Sequence, residues 1–253
     1  MQTVELKDRS LASLLAIIES QPGNYRNLFR GHANASWGLV PSLYRVKNVP
    51  VASENLEKNY DLFETGWINS FFDEGLSFLP RLTRTYSNDR ILAQHFGVPT
   101  RLLDWTRDPL VAIYFAVENP QSDVDAAVYM ILPEAKHRPE DVRSLGPHRV
   151  IELTPPAIDA RITAQKSVFT FHPYGPPDQH FVPLDEREEI GGQIAIPEGR
   201  ARGFSKIVIP SRMTAHLRNT LHGMGYDRAH LFPGLDGVGA NIGVRARAGG
   251  LWN

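Results

Sequence analysis

Apolar residues recur at the three- and four-residue spacing of helices in five stretches of the chain. Each stretch begins near a side chain that can accept a hydrogen bond from the first helical N–H groups. The spacing therefore predicts helices with one buried face, and they begin at Ser10, Ser53, Ser87, Asp108-Pro109 and Ser211. The third helix is predicted over residues 87–96, because Gly97 and Pro99 follow as stop signals.

Short apolar runs rich in β-branched and aromatic residues predict strands. In the first half of the chain these runs are YRNLFRGH, which ends near Arg30, and RLLDW. In the second half they are AAVYMIL, HRVIEL, SVFTF, GGQIAI and SKIVI. Helices thus lie mainly in the N-terminal half and strands in the C-terminal half, which favours an α+β fold with a mixed or antiparallel sheet.

The remaining patterns divide the chain no further. No repeat of fixed period and no linker separates parts of residues 1–253, so we predict a single domain. The glycine-rich end LFPGLDGVGANIGVRARAGG lacks the lysine of a phosphate-binding loop, and it is predicted to be rich in turns.

Composition narrows the functional classes. The 253 residues are 42% hydrophobic, enough for a large core, and 27 Lys and Arg residues nearly balance 28 Asp and Glu residues. This balance gives no strong nucleic-acid signal and no attraction to an anionic membrane. The lack of cysteine excludes disulfides and thiolate zinc sites. There is no signal-peptide pattern and no apolar run of roughly 20 residues, so we expect a cytoplasmic protein without a membrane partner.

The segment QHFGVPTRLLDWTRDP, residues 94–109, concentrates polar side chains where a helix end, a turn, a strand and a helix start meet. Thr106, Asp108 and the N–H groups that follow can hold a phosphate, because helix N-termini attract anions. The alternative is structural, with Asp108 as a cap and Asp104 paired with Arg101 or Arg107. A turn does not need this many distinct donors and acceptors, which favours a ligand-binding wall.

Arg30 presents the same choice at a strand end. Its guanidinium fork can meet a phosphate or carboxylate through two hydrogen bonds, while Gly31 lets another group approach closely. The alternative is an internal ion pair with Asp104 or with a glutamate. Both interpretations stay open on the residues alone.

Four segments resemble the FRG domain family, which takes its name from a Phe-Arg-Gly motif. They are LFRGH at 28–32, QHFGVPTRLLDWTRDPLVAIYFAV at 94–117, ARITAQKSVFTFHP at 160–173 and GYDRAHLFPGLDGV at 225–238. The resemblance implies an FRG-type domain over most of the chain. Because such genes occur in bacteria, phages and mobile elements, it also implies a role in conflict, as a toxin or in phage defence. A protein acceptor or a regulatory partner would accompany such a role.

The order of motifs is also distantly similar to ADP-ribosyltransferases of the Arg-Ser-Glu type. That similarity implies an ADP-ribosyltransferase-like core, NAD as substrate or ligand, and catalytic roles for Arg30, Asp104 and Gln165. It implies that the nucleotide is held by Arg30, Gly31, His95, Thr100, Arg101, Trp105 and Thr106. Ser167 stands where those enzymes carry their catalytic glutamate. Another acid, Asp104 or Glu118, would then stabilise the positive charge that develops as nicotinamide leaves.

Three functions follow from these observations. The first is a transferase of ADP-ribose or an NAD glycohydrolase, and the second is a non-catalytic module of the same fold that binds a phosphate-bearing ligand or a protein. The missing glutamate favours the second. The third is a metal-dependent nuclease that uses histidines, but no His-x-x-x-His spacing connects His172, His180, His216, His222 and His230. The sequence therefore predicts no metal site.

Overall fold

A computed structural model gives the fold of this chain. It describes residues 1–21, 27–47, 49, 54, 56–80, 82–119, 123–132, 136–137, 151–172, 181–186 and 204–247. Within these ranges, no helix combines the length and the apolar composition needed to cross a membrane.

The strands form one mixed sheet in the described part of the chain. They are β1 (Gln2–Glu5), β2 (Leu28–His32), β3 (Leu102–Thr106), β4 (Ala126–Ile131), β5 (Lys136–His137), β6 (Ile151–Leu153), β7 (Ser167–Phe171) and β8 (Phe204–Ile209). Their order across the sheet is β1-β8-β4-β2-β3-β7-β6-β5. The outer pairs β1 with β8 and β5 with β6 are parallel, and the pairs between them are antiparallel. The predicted α+β class with a mixed sheet is confirmed.

The predicted helices are present, with two corrections at their starts. The helices are α1 (Leu11–Glu19), α2 (Leu56–Glu74), α3 (Tyr86–His95), α4 (Pro109–Val117), α5 (Ala160–Ala164), α6 (Ser211–Gly223), α7 (Arg228–Leu231) and α8 (Leu235–Arg247). Ser87 lies inside α3, because Thr85 caps this helix by accepting from the Asn88 N–H at 3.1 Å. Ser211 is the first residue of α6 and follows Pro210 at the cap position.

The glycine-rich C-terminal segment is helical, so the prediction of a turn-rich end was wrong. Contacts outside the helix compensate for its poor helical propensity. The Asn241 Nδ2 donates to the Asp227 carboxylate at 2.6 Å. A Cβ at Gly237 would lie 1.8 Å from the Phe232 carbonyl oxygen, so glycine allows α8 to pack closely on the preceding turn.

Two predicted strands fall partly or wholly outside the described residues. GGQIAI, residues 191–196, lies outside them, and HRVIEL is described as a strand only over Ile151–Leu153. The edge strand β1 was not predicted, because its four residues QTVE are short and mostly exposed. The cap candidate Ser53 also lies outside the described residues.

Close packing of α4 on β2 fixes the centre of the sheet. Asp108 caps α4 by accepting from the Leu110 N–H at 2.9 Å, and Pro109 occupies its first turn. A Cβ at Gly31 would lie 1.9 Å from the Ala112 carbonyl oxygen and 2.6 Å from the Ala116 nitrogen. Gly31 therefore admits the backbone of α4, where the sequence suggested the approach of another group such as a ligand.

The sheet is split between its two central strands. β2 pairs with β4 over all five of its residues, but in the described ranges it pairs with β3 only at Phe29 and Thr106. Continuing that register would place Gly31 opposite Asp104. Instead the strands separate there, and a cleft lined by residues of both strands opens at the split.

Candidate functional site

The cleft at the split has a volume of about 750 Å³. Its lining comes from β2, the following loop and 3₁₀ helix (Ser42–Arg45), the end of α3, β3, α4, α5, β7 and the turn after α7. The sequence-predicted residues that line it are Arg30, Gly31, His95, Asp104, Trp105, Thr106 and Gln165. The structure thus brings the three predicted catalytic residues to one cavity, two on neighbouring strands and one at the end of α5.

Arg30 bridges the split strands. Its Nε donates to the Nε2 of His32 at 2.9 Å, and its Nη1 donates to the backbone carbonyl of Asp104 at 2.6 Å. The same Nη1 lies 3.7 Å from the Asp104 carboxylate. Burial lowers the pKa of Arg30, and the Asp104 charge opposes this shift. Nη2 has no acceptor among the described residues, so it is available to a ligand anion.

His32 is held as a neutral imidazole. Burial, followed by the charge of Arg30, lowers its pKa from 6.5 to about 3. Because Nε2 accepts from Arg30, the proton lies on Nδ1, which is 3.3 Å from the Trp37 carbonyl oxygen. His32 therefore orients the guanidinium of Arg30, a role that the sequence did not suggest.

Asp104 presents a carboxylate to the cleft. Its side chain is 56% exposed, and one oxygen accepts from the Gln94 Nε2 at 3.0 Å. Gln94 is in turn fixed by Thr100, whose hydroxyl donates to the Gln94 Oε1 at 2.6 Å. Asp104 pairs with Arg30, and the sequence-based alternatives of Arg101 and Arg107 are not its partners in the described ion pairs.

Gln165 and His95 line the cleft near α5. The Gln165 Nε2 donates to the Leu231 carbonyl at 3.0 Å, which ties the end of α5 to α7. The His95 Nε2 lies 3.5 Å from the Asp159 carboxylate. Burial nevertheless lowers the pKa of His95, with the charge of Arg161 acting in the same direction.

Trp105 and Thr106 also stabilise the fold. The Trp105 Nε1 donates to the Thr170 hydroxyl at 2.7 Å, and this side chain is 3% exposed. The Thr106 hydroxyl donates to the Gln165 carbonyl at 2.7 Å and accepts from the Asp108 N–H at 3.0 Å. These contacts fix β3 against β7 and the start of α4.

The structure places Thr100 and Arg101 outside the cleft lining. Thr100 acts behind it, through Gln94. Arg101 is buried against Glu64, to which its Nε donates at 2.6 Å, and its Nη2 donates to Asp61 at 2.8 Å. Glu118, the other candidate acid, is paired with Arg228 and accepts from the Tyr114 hydroxyl at 3.1 Å.

Sequence reasoning missed two further arginines in the lining, Arg45 and Arg161. Neither has a carboxylate within 4.0 Å among the described residues. Arg161 belongs to the quoted segment ARITAQKSVFTFHP, whereas Arg45 belongs to no motif. Aromatic rings complete the lining, and they are Phe29, Trp37, Trp105, Phe115, Phe169 and Phe232.

The charge of the cleft is positive. Across the described lining there are three arginines and one carboxylate, and burial lowers the pKa of both histidines. Among the residues that the structure describes, no three His, Asp or Glu side chains are grouped so that they could hold a metal ion. An anion with an aromatic ring matches this combination of cations and ring surfaces.

Comparison with known families bears on the first half of the chain. The FRG domain model matches residues 25–125. The FRG match includes Arg30, Arg45, His95 and Asp104, and therefore β2, β3 and the split between them. Arg161 and Gln165 lie beyond it, so the resemblance of residues 160–173 and 225–238 stays a prediction. No curated protein and no solved structure matches the chain.

Proposed function

We propose that the cleft binds a nucleotide of the NAD type through its phosphates and its rings. The observation that carries this proposal is the excess of arginines over carboxylates in the described lining, next to several aromatic rings. Among these arginines, Arg161 is partly buried and lacks a carboxylate partner in the described residues. A partly buried charge without a partner costs free energy, and a bound anion reduces that cost. The volume of about 750 Å³ also falls within the range of ligand pockets.

Arg30 would contact a phosphate through Nη2. His32 and the Asp104 carbonyl already hold its Nε and Nη1, so the guanidinium is oriented before the ligand arrives. Preorganisation of this kind reduces the entropy lost on binding. The sequence predicted that the guanidinium fork of Arg30 binds a ligand through two of its nitrogens. In the structure, only Nη2 has no partner among the described residues.

Cleavage of the nicotinamide bond is the second candidate, and the position of Asp104 favours it. This carboxylate is exposed to the cleft and is held by Gln94 at 3.0 Å. A fixed negative charge beside the ribose would stabilise the cation that develops as nicotinamide departs. ADP-ribose would then pass to water or to a protein acceptor. The acceptor, a regulatory partner and an effector role in bacterial or phage conflict stay predictions of the resemblance.

Binding and cleavage are tested separately. Isothermal titration with ADP-ribose measures binding, and chromatography of NAD incubations measures free nicotinamide. Arg30→Gln should weaken ADP-ribose binding by about tenfold or more, because a hydrogen bond to a charged group is worth about 1.5–3 kcal/mol. Arg84→Gln is the matched control, since Arg84 pairs with Asp89 at 2.6 Å and does not line the cleft.

The Asp104→Asn variant separates the two candidates. Loss of nicotinamide release with retained ADP-ribose binding would support catalysis by Asp104. Binding without release in the native protein would leave a ligand-binding module. Absence of both would contradict the proposed function.

A further inference from the structure

Phe232 contacts two arginines, of which one is paired with a carboxylate and the other is not. The guanidinium carbon of Arg228 lies 4.6 Å from the centre of the Phe232 ring, and that of Arg161 lies 5.0 Å from it. Arg228 is neutralised by its pair with Glu118. Arg161 lines the cleft and has no carboxylate within 4.0 Å in the described part of the chain.

The nearest acid to Arg161 is engaged elsewhere. The Asp159 carboxylate caps α5 by accepting from the backbone N–H of Arg161 at 2.7 Å, and it lies 3.5 Å from His95. The Arg161 guanidinium instead lies over the Phe232 ring, within cation–π range. The ring thus holds the arginine in place without neutralising its charge.

Arg161 lines the cleft from helix α5, whereas Arg30 lines it from strand β2. Arg30 lies on β2 and Arg161 precedes β7, with β3 between these strands. The two guanidinium groups therefore belong to different elements of the cleft wall.

We propose that Arg161 and Phe232 form a second anion subsite, which binds a phosphate monoester on the nucleoside part of the ligand. This inference rests on the proposed function, and it narrows the ligand to a dinucleotide with an additional phosphate, such as NADP. In doubly wound dinucleotide-binding folds, an acidic side chain selects a free ribose hydroxyl, whereas an arginine accommodates a phosphate on that hydroxyl. Arg161 is the arginine of this cleft to which we assign the second role.

The charge of the cleft is not fully matched by NAD. With both histidines neutral, the described lining carries three arginines against Asp104, an excess of two positive charges. The pyrophosphate and the pyridinium of NAD together leave about one negative charge. NAD therefore leaves about one positive charge of the cleft unbalanced, and a phosphate monoester, with about 1.5 to 2 negative charges at neutral pH, supplies the negative charge to pair with it.

Isothermal titration with four ligands tests the subsite. NAD is compared with NADP, and ADP-ribose with its 2′-phosphate, because the second pair has no nicotinamide bond and excludes turnover. The native protein should bind each phosphorylated ligand at least about tenfold more tightly than its parent. Arg161→Gln should abolish this preference, so that each phosphorylated ligand and its parent bind within about twofold of each other.

Arg228→Gln is the matched control, because it removes the other guanidinium from Phe232 but leaves the cleft unchanged. It should keep the preference for the additional phosphate. Arg161→Lys should give an intermediate preference, since lysine keeps the charge but loses the planar fork. Thermal unfolding of each variant confirms that it is folded.

The outcomes separate the two proposals. Equal binding of the phosphorylated and parent ligands to the native protein would overturn the subsite and leave the nucleotide cleft standing. An equal loss of preference in Arg161→Gln and Arg228→Gln would overturn the assignment to Arg161. If none of the four ligands binds, the proposed function fails and the subsite fails with it.

Discussion

Two groups of arginines in this molecule have opposite surroundings. Arg90 and Arg101 lie against Glu64, a fully buried carboxylate whose Oε2 accepts from their Nε atoms at 2.9 and 2.6 Å. The cleft holds Arg45 and Arg161 without an acid partner among the described residues. The guanidinium groups of the first group are paired with a carboxylate inside the protein, whereas those of the second have no such partner in the described residues. Both pairing and burial thus distinguish the structural arginines from those that we propose to bind a ligand.

Removal of Glu64 should have the largest effect, because it breaks the paired group. Glu64→Ala leaves two buried cations and the Arg101 backbone N–H without their acceptor. We expect the free energy of unfolding in urea to fall by about 3–5 kcal/mol. Asp89→Asn, which affects the exposed pair with Arg84, should cost less than about 1 kcal/mol. A similar loss in the free energy of unfolding for both variants would show that the arginines paired with Glu64 do not depend on that pairing.

Gly31→Ala should have the next largest effect, through packing at the cleft wall. The new methyl group would lie 1.9 Å from the Ala112 carbonyl oxygen, so α4 must move away from β2. Overpacking of this kind costs about 3 kcal/mol when backbone has to shift. Gly66→Ala is the control, because nothing lies within 4 Å of that position in α2, and it should stabilise by about 0.5–1 kcal/mol. In urea unfolding, the free energy of unfolding should fall for Gly31→Ala and rise for Gly66→Ala.

Acid should weaken the cleft region through His32. Its pKa is about 3 in the folded protein because of burial and the charge of Arg30, against 6.5 ordinarily. Between these values the unfolded chain takes up a proton that the folded protein excludes, so stability is present above pH 6.5 and falls as the pH drops. The loss is about 2 kcal/mol from pH 6.5 to 5. His32→Gln should show a shallower fall in urea unfolding, and an unchanged slope would contradict this origin.

Arg45→Gln should have the smallest effect on folding. Arg45 is exposed, and its charge lowers the pKa of both Arg30 and His32. Removing it should change the free energy of unfolding by less than about 0.5 kcal/mol, while the affinity for ADP-ribose falls. Urea unfolding and titration of the same preparation provide the measurement. A loss of stability comparable to that of Glu64→Ala would place Arg45 with the structural group.

The elements could be predicted from the sequence where one physical pattern dominated. Asp108 followed by Pro109 marks a helix start, and the structure confirms the cap. The glycine-rich α8 could not be predicted, because its hydrogen bond to Asp227 and its close packing at Phe232 involve residues that lie before the helix in the chain. Propensity favoured turns there, and tertiary contact favoured a helix.

The site was predicted in part for a similar reason. Arg30 and Asp104 lie in quoted motifs, and the structure brings them to one cleft. Arg101 has the same local appearance in the sequence, but its partner Glu64 is 37 residues away in the chain. Periodicity does not reveal such a pairing. Arg45 ends a 3₁₀ helix of four residues, which is too short for hydrophobic spacing to predict a face or a neighbour.

The one-residue register between β2 and β3 has a mechanical consequence. It divides the described sheet into two halves of four strands each. The halves are connected by backbone pairing at Phe29 and Thr106 and by the hydrogen bond from Arg30 to the Asp104 carbonyl. A ligand that contacts both Arg30 and Arg161 would connect the two halves of the sheet. Binding of a ligand in the cleft would then slow amide hydrogen exchange along β2 and β3 together, because the ligand would stabilise the sheet where its two central strands separate.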